Sequence, residues 1–442
     1  MRSSQHAEAS ILSCVASGGA RRLEMRRLVV IALAFCVVLT ACGRGSSADS
    51  SQTQVTAEAK SDARAAGVLA ITTPADGSTT MLQRLDADTL ARLTAGTDLG
   101  EYHGAWAFSR DRRVLAVGTF ARTGVRVIDP ASLAITRDIP LPLAAVALGW
   151  VSADRIAVLL QRGGVVVVDA DRGRVERRWP LSYRVPCGAA RQAVTPHGVI
   201  FVITGRSGTV RLLRIDADGQ LRVVTLARVR APSRSRSCGA PALAADPAGA
   251  RAVVLASDGP LAEIDLASLS VAYQPQRELR RAIGQPASCP RARICAGQVA
   301  AAWLDDKTVV TGLTTWTEAR DARPVASGGG VAVIDSRTWS ARVVDRRAGD
   351  FALAPDNLLT FGAQRRGMRA IKGEGTTRWV AVPQRRLRSA TANARRVYAL
   401  EEAADRAHVL DAATGAALAA PRLALGRLQI LTGRSHAGDP HP

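Results

Sequence analysis

The chain has 442 residues, 47% hydrophobic and 22% charged, with a formal net charge of +21. Lys60, Lys307 and Lys372 are its only lysines, so the positive charge is almost all arginine. That balance favours anionic lipid, anionic wall polymer or nucleic acid as a partner. The arginine-rich stretches 230–237, 276–282 and 383–388 have no interleaved aromatic residues, which argues against nucleic acid.

Residues 1–24 precede a complete export signal and are expected to be a mis-set translation start. Met25, Arg26 and Arg27 lead into the apolar run LVVIALAFCVVL (28–39), which is too short to span a bilayer as a mature helix. Its exit, Leu39-Thr40-Ala41-Cys42 followed by Gly43, resembles the lipobox of bacterial lipoproteins. The resemblance implies a signal peptide over 25–41, cleavage before Cys42 and diacylation of that cysteine. Removing residues 1–41 takes away five Arg and two Glu and leaves +18 on the mature chain. Residues 42–66 hold almost no apolar side chains and are expected to be a disordered tether. As a flexible coil it would span about 25–30 Å, enough to hold a domain just off a membrane.

From there one phrase recurs: an apolar strand ending in Asp, then a tight turn. It reads QRLDADTL (83–90), VRVIDPASL (125–133), VVVVDADRG (165–173), LLRIDADGQ (212–220), LAEIDLASL (261–269), VAVIDSRTW (331–339) and HVLDAATG (408–415). GMRAIKGEG (367–375) carries Lys372 where Asp is expected. From Asp86 the steps are 43 to Asp129, 40 to Asp169, 47 to Asp216, 49 to Asp265, 70 to Asp335, 37 to Lys372 and 39 to Asp411. A period of roughly 40–45 residues marks a β-propeller blade. The long step is assigned to two loop-like inserts, 274–297 and 317–330. The Asp residues are read as structural, since a carboxylate at a strand end accepts N–H bonds from the next residues.

A second phrase, apolar–turn–apolar, precedes the first in each unit, as in WAFSRDRRVLAV from Trp106, WVSADRIAVLL from Trp150 and WLDDKTVVTG from Trp303. Two phrases make a four-stranded blade with its inner strand at the axis. The expected class is therefore an all-β propeller over 67–433, with eight units counted and seven blades as the alternative. The first unit lacks an inner strand before Val68, and LGRLQILTG (425–433) is the spare strand that would close the ring, leaving 434–442 as a disordered tail. Trp106, Trp150 and Trp303 are read as occupying matching slots, packing between blades.

Beyond Cys42 there are four cysteines, Cys187, Cys238, Cys289 and Cys295; an even number in an exported chain points to disulfides. Cys187, Cys238 and Cys295 each precede an inner strand, which places them on one face of the ring. Three pairings are open. Cys289 with Cys295 would staple a loop, and Cys187 with Cys238 would then link neighbouring blades. No metal site is expected, because no CxxC pair or His partner accompanies them. His103, His197 and His408 fall at different places in their units, and the run Gly328–Gly330 has no following helix, so it reads as a flexible hairpin rather than a phosphate loop. No catalytic residue or cofactor is expected.

VRVIDPASLAITRDIPL and GGVAVIDSRTWSARVVD resemble the YVTN/WD40-like propellers of exported bacterial proteins, and HVLDAATGAAL is similar to quinoprotein (PQQ-type) repeats. The quinoprotein likeness would imply a vicinal Cys pair and a Trp closing each repeat. The chain has neither adjacent cysteines nor a Trp at Ala416–Leu418, which counts against a quinone cofactor. The leading expectation is a monomeric lipoprotein on the outer side of the cell membrane, binding a protein or an envelope polymer on the face that carries Cys187, Cys238 and the 274–297 insert. The alternatives are an exported hydrolase or lyase with its site at the channel mouth, and an accessory lipoprotein of a membrane signalling system.

Overall fold

The middle strands of the repeat are apolar on both sides, a pattern that needs cover on both faces. Leu115–Thr119 and Gly164–Asp169 are buried at every position. A propeller provides the cover by packing each small sheet between two others. In the computed structural model the described residues are 67–431, leaving out 75–78, 120–122, 163, 182–189, 206, 231–240, 257–258, 276–294, 318–324, 363–365, 373–374, 402–405 and 424. They form eight four-stranded antiparallel sheets, and no helix occurs among them. The expected signal peptide, Cys42 and the expected tether lie outside the described residues.

We number the blades in chain order and their strands from the axis outwards. In blades 2 to 8 the chain enters at the inner strand and leaves at the outer one. Blade 1 differs: Gly67–Pro74, Thr80–Asp86 and Thr97–Gly100 are its second, third and outer strands, and its inner strand is the C-terminal Leu425–Ile430. That strand pairs antiparallel to Gly67–Pro74, with Ala70 opposite Ile430 and Thr73 opposite Arg427. The count is therefore eight blades, and the tail strand closes the ring.

Because strands alternate in direction, the blade-to-blade connections and the links between second and third strands lie on one face, here the upper. The inner hairpin turns and the Asp turns lie on the lower face. Each turn has the predicted carboxylate geometry: Asp129 Oδ1 accepts the Ala131 N–H at 2.8 Å, Asp265 Oδ1 the Ser268 N–H at 2.7 Å, and Asp335 Oδ1 the Arg337 N–H at 2.8 Å. Lys372 keeps the backbone turn without the carboxylate, its carbonyl accepting the Gly375 N–H at 2.7 Å.

Two features of these turns were not read from the sequence. Every turn ends on a left-handed residue: Leu90, Leu133, Leu269 and Trp339 at φ of 56–62°, and Gly173, Gly219, Gly375 and Gly415 in the others. Leu90 and Leu133 accept that backbone cost because their side chains are buried between blades.

The second feature is a donor from each blade onto the turn of the next. Arg84 Nη2 donates to Pro130 O at 2.7 Å, Arg137 Nε to Asp171 O at 3.3 Å, and Arg177 Nη1 to Gly219 O at 3.3 Å. Arg214 bonds Leu266 O, and Arg251 Nη2 reaches Ser336 Oγ at 3.5 Å. Arg342 lies against Gly375, Trp379 Nε1 donates to Ala412 O at 3.3 Å, and Arg396 Nε bonds Asp88 across the closing seam. A Cβ at Gly415 would sit 2.6 Å from the Trp379 ring, so the latch itself demands glycine there. Part of the chain's arginine content is thus interblade cement.

The tryptophans pack between blades, with one correction. Trp150 and Trp303 pair with Ile156 and Val309 at the end of the inner hairpin, and the residue in that slot of blade 2 is Phe108, opposite Leu115. Trp106 lies two residues earlier, its ring edge-on to Phe108 at 5.8 Å. The turn of blade 2 is also one residue longer, so Trp106 stands nine residues before Leu115, whereas Trp150 and Trp303 stand six before Ile156 and Val309. Trp150 Nε1 donates to Ala107 O of blade 2 at 3.1 Å, and Trp303 Nε1 to Ala244 O of blade 5 at 3.3 Å. A second correction concerns 317–330. Its described residues, 317 and 325–330, belong to the hairpin strands Thr308–Thr317 and Val325–Asp335, and Gly328–Gly330 lie inside the latter at a β-bulge opposite Leu313 and Thr314.

The turn carboxylates make stability pH-dependent. Asp86, Asp129 and Asp411 are held below the ordinary carboxylate value of 3.8 first by the hydroxyls of Thr89, Ser132 and Thr414, and Asp265 and Asp335 first by the backbone N–H groups of Ser268 and Arg337. A folded-state pKa below the unfolded one gives stability that is present above the unfolded value and is lost as pH falls through the folded value. The urea midpoint should therefore be level from pH 7 to 5 and fall below about pH 4. Replacing Asp86, Asp129 and Asp265 together by Asn should flatten that fall. A midpoint unchanged between pH 5 and 3 would refute the role of the turns.

Candidate functional site

The strand ends that flank the connections singled out in the sequence lie on the upper face. Cys187, Cys238 and Cys289 lie outside the described residues, so no pairing is placed. Cys295 is the first residue of the inner strand of blade 6, Cys295–Trp303, which starts at the upper face.

Among the described residues, a buried polar group on this face lies where blade 7 hands over to blade 8. Glu401 ends the second strand of blade 8, Arg396–Glu401, and His408 is in the third, Ala407–Asp411. The hairpin brings His408 Nε2 to 2.6 Å from Glu401 Oε1, with both side chains buried. Arg385, on the incoming connection, places Nε 3.7 Å from the same oxygen. The connection is tightly bent: Val382 and Gln384 are left-handed at φ 43° and 63°, and Gly367 packs beneath the Ala381 and Val382 carbonyls. The carboxylate orients the imidazole and ties the connection to blade 8. Among the described residues no group of three His, Cys, Asp or Glu side chains is arranged to hold a metal ion.

Groups with displaced pKa values are found elsewhere. Besides the turn aspartates, Tyr398 is pushed up to about 12 by burial, and its hydroxyl donates to Ala87 O across the seam between blades 8 and 1 at 3.1 Å. Within the ring, Gln192 on the inner strand of blade 4 accepts the Leu148 N–H at 2.7 Å and donates to Trp106 O at 3.2 Å. It thereby covers backbone groups of blades 3 and 2 that face the axis.

The outer wall gathers arginines that lie, all but Arg230, outside the three stretches named above. Nine arginines lie on outer strands, and six of them fall on two neighbouring ones: Arg174, Arg177 and Arg178 on Arg174–Pro180 of blade 3, and Arg222, Arg228 and Arg230 on Leu221–Arg230 of blade 4. Val175 and Val223 stand exposed between them. The signal was present in ERRW and LRVVTLARVR, but only strand assignment puts the two runs side by side.

No protein-family profile matches the chain, and no curated protein matches it. Solved structures do. A crystal structure of BamB from Moraxella catarrhalis superposes with a TM-score of 0.46 at 14% identity, covering 74% of this chain and 92% of that one. The dihydro-heme d1 dehydrogenase NirN, in complex with DHE, superposes with a TM-score of 0.55 at 15% identity, covering 82% of this chain and 74% of that one. At such identities the likeness to NirN is one of fold, and this chain is an eight-bladed β-propeller.

Proposed function

We propose that this chain is an exported lipoprotein, tethered to the outer side of the cell membrane through Cys42, whose propeller is a binding or scaffolding module for a protein or envelope-polymer partner. The order of parts supports this reading: export signal over 25–41, lipobox cysteine, apolar-poor tether over 42–66, then a closed ring. Binding rather than catalysis is favoured by one observation. Among the described residues, the groups whose pKa values are displaced sit in lower-face turns and blade seams, where they hold the ring together, whereas a catalytic site would be expected to gather such groups in a cleft. The upper face is then the recognition surface, and in an oxidising compartment Cys187, Cys238, Cys289 and Cys295 would be paired, with the protein acting as a monomer.

Crosslinking in intact membranes followed by capture of the protein tests the reading. The expected result is the same partner in independent repeats. Recovery of no reproducible partner would overturn the scaffold assignment.

A further inference from the structure

We infer that the outer wall of blades 3 and 4 is a docking surface for an anionic lipid bilayer, so that the ring lies against the membrane on this side. The inference rests on the export and tethering proposed above, and it adds which part of the ring meets the lipid. Arg174, Arg178, Arg222 and Arg230 are exposed on two adjacent outer strands, and Arg228 is exposed beside them with its guanidinium over the Tyr273 ring. The strands are neighbours in space, since Arg177 reaches from one blade to Gly219 of the next. Their single acidic residue, Glu176, is already engaged by Arg155 Nε at 2.9 Å and Nη2 at 3.3 Å. The other nearby carboxylates are Asp169, Asp171, Asp216 and Asp218 in the lower-face turns; Asp169 pairs with Arg172 and Asp216 accepts the Gln220 N–H. The wall is therefore basic over the length of both strands.

Two properties favour a bilayer over a soluble polyanion. Val175 and Val223 are 37% and 44% exposed among the arginines, and an apolar side chain gains from a lipid interface but not from a hydrated polymer. A flexible segment over 42–66, as its composition leads one to expect, would span about 25–30 Å and let the ring meet the anchoring leaflet. Each arginine near an anionic surface shifts partitioning by roughly fivefold, and the attraction fades within a Debye length.

The test uses the mature chain from residue 42 with Cys42→Ala, so that lipidation does not enter. Sedimentation with phosphatidylglycerol vesicles should show binding that falls with salt, with little binding to phosphatidylcholine. The variant R174E/R178E/R222E/R230E should lose at least about tenfold in partitioning. Arg177 and Arg228 are left intact because they make contacts within the ring. The control R113E/R337E/R346E/R395E changes net charge equally at exposed sites elsewhere and should bind as the parent does. Equal loss in both variants would reduce the effect to net charge and overturn the proposal. So would no binding to anionic vesicles, or binding to soluble polyphosphate with none to vesicles. A negative result here leaves the anchor at Cys42 to be judged by fractionation.

Discussion

Replacing Cys42 by Ala should move the protein from the membrane fraction to the soluble fraction. Diacylation places two long acyl chains in the bilayer, and each buried methylene contributes about 0.8 kcal/mol. One chain gives marginal, reversible binding, and two make it effectively permanent. Losing both changes partitioning by many orders of magnitude. The basic wall cannot replace them, because its attraction to anionic lipid is weak per residue and screened by salt. The variant should therefore retain slight membrane association at low ionic strength and none at about 0.5 M salt. Fractionation with immunoblotting reads this directly, and persistent retention of the variant at high salt would refute the lipoprotein assignment.

Removing the strand that closes the ring should cost most of the protein's stability. Truncation before Leu425 deletes the inner strand of blade 1, with buried Leu428, Ile430 and Leu431 and the Leu431 N–H bond to Leu69 O at 2.9 Å. Each buried aliphatic side chain contributes about 1.5–3 kcal/mol. Three of them approach the lower end of the roughly 5–15 kcal/mol that holds a typical domain together. The strand Gly67–Pro74 would also expose an unpaired edge at the axis, a template for aggregation. The lower-face contacts Arg396–Asp88 and Tyr398–Ala87 would still span the seam, with the packing of Ala70, Leu85 and Leu90 against Tyr398, Leu400 and Val409. Truncation after Gly433 is the control and should leave the urea midpoint unchanged. A midpoint equally unaffected by the longer deletion would show that closure is not what stabilises the ring.

The architecture was legible because its mark is local. A carboxylate at a strand end bonds the next few N–H groups, so seven Asp residues and Lys372 announce the turns without knowledge of the fold. The choice between eight blades and seven was open in the sequence, since it depends on Leu425–Ile430 pairing with a strand about 350 residues earlier. The arginine latches were hidden for the same reason. Arg84, Arg177 and Arg214 look like scattered surface charge until the next blade's turn is beside them. Trp106 was misplaced because the phrase shows a tryptophan but not where its strand turns, and Phe108, two residues on, holds the slot at the end of the inner hairpin. The Glu401–His408 pair could have been found: seven residues apart and flanking a short loop, they meet across a hairpin. The basic wall was missed because its two runs are about 50 residues apart in sequence and adjacent only in the ring.

On the proposed reading, the tethered propeller recognises its partner on the upper face. A photocrosslinking residue at Arg386, exposed on the connection from blade 7 to blade 8, should yield a discrete adduct in intact membranes. The same residue at Arg337, exposed in a lower-face turn, should yield none. Adducts from Arg337 alone, or from neither position, would contradict the account.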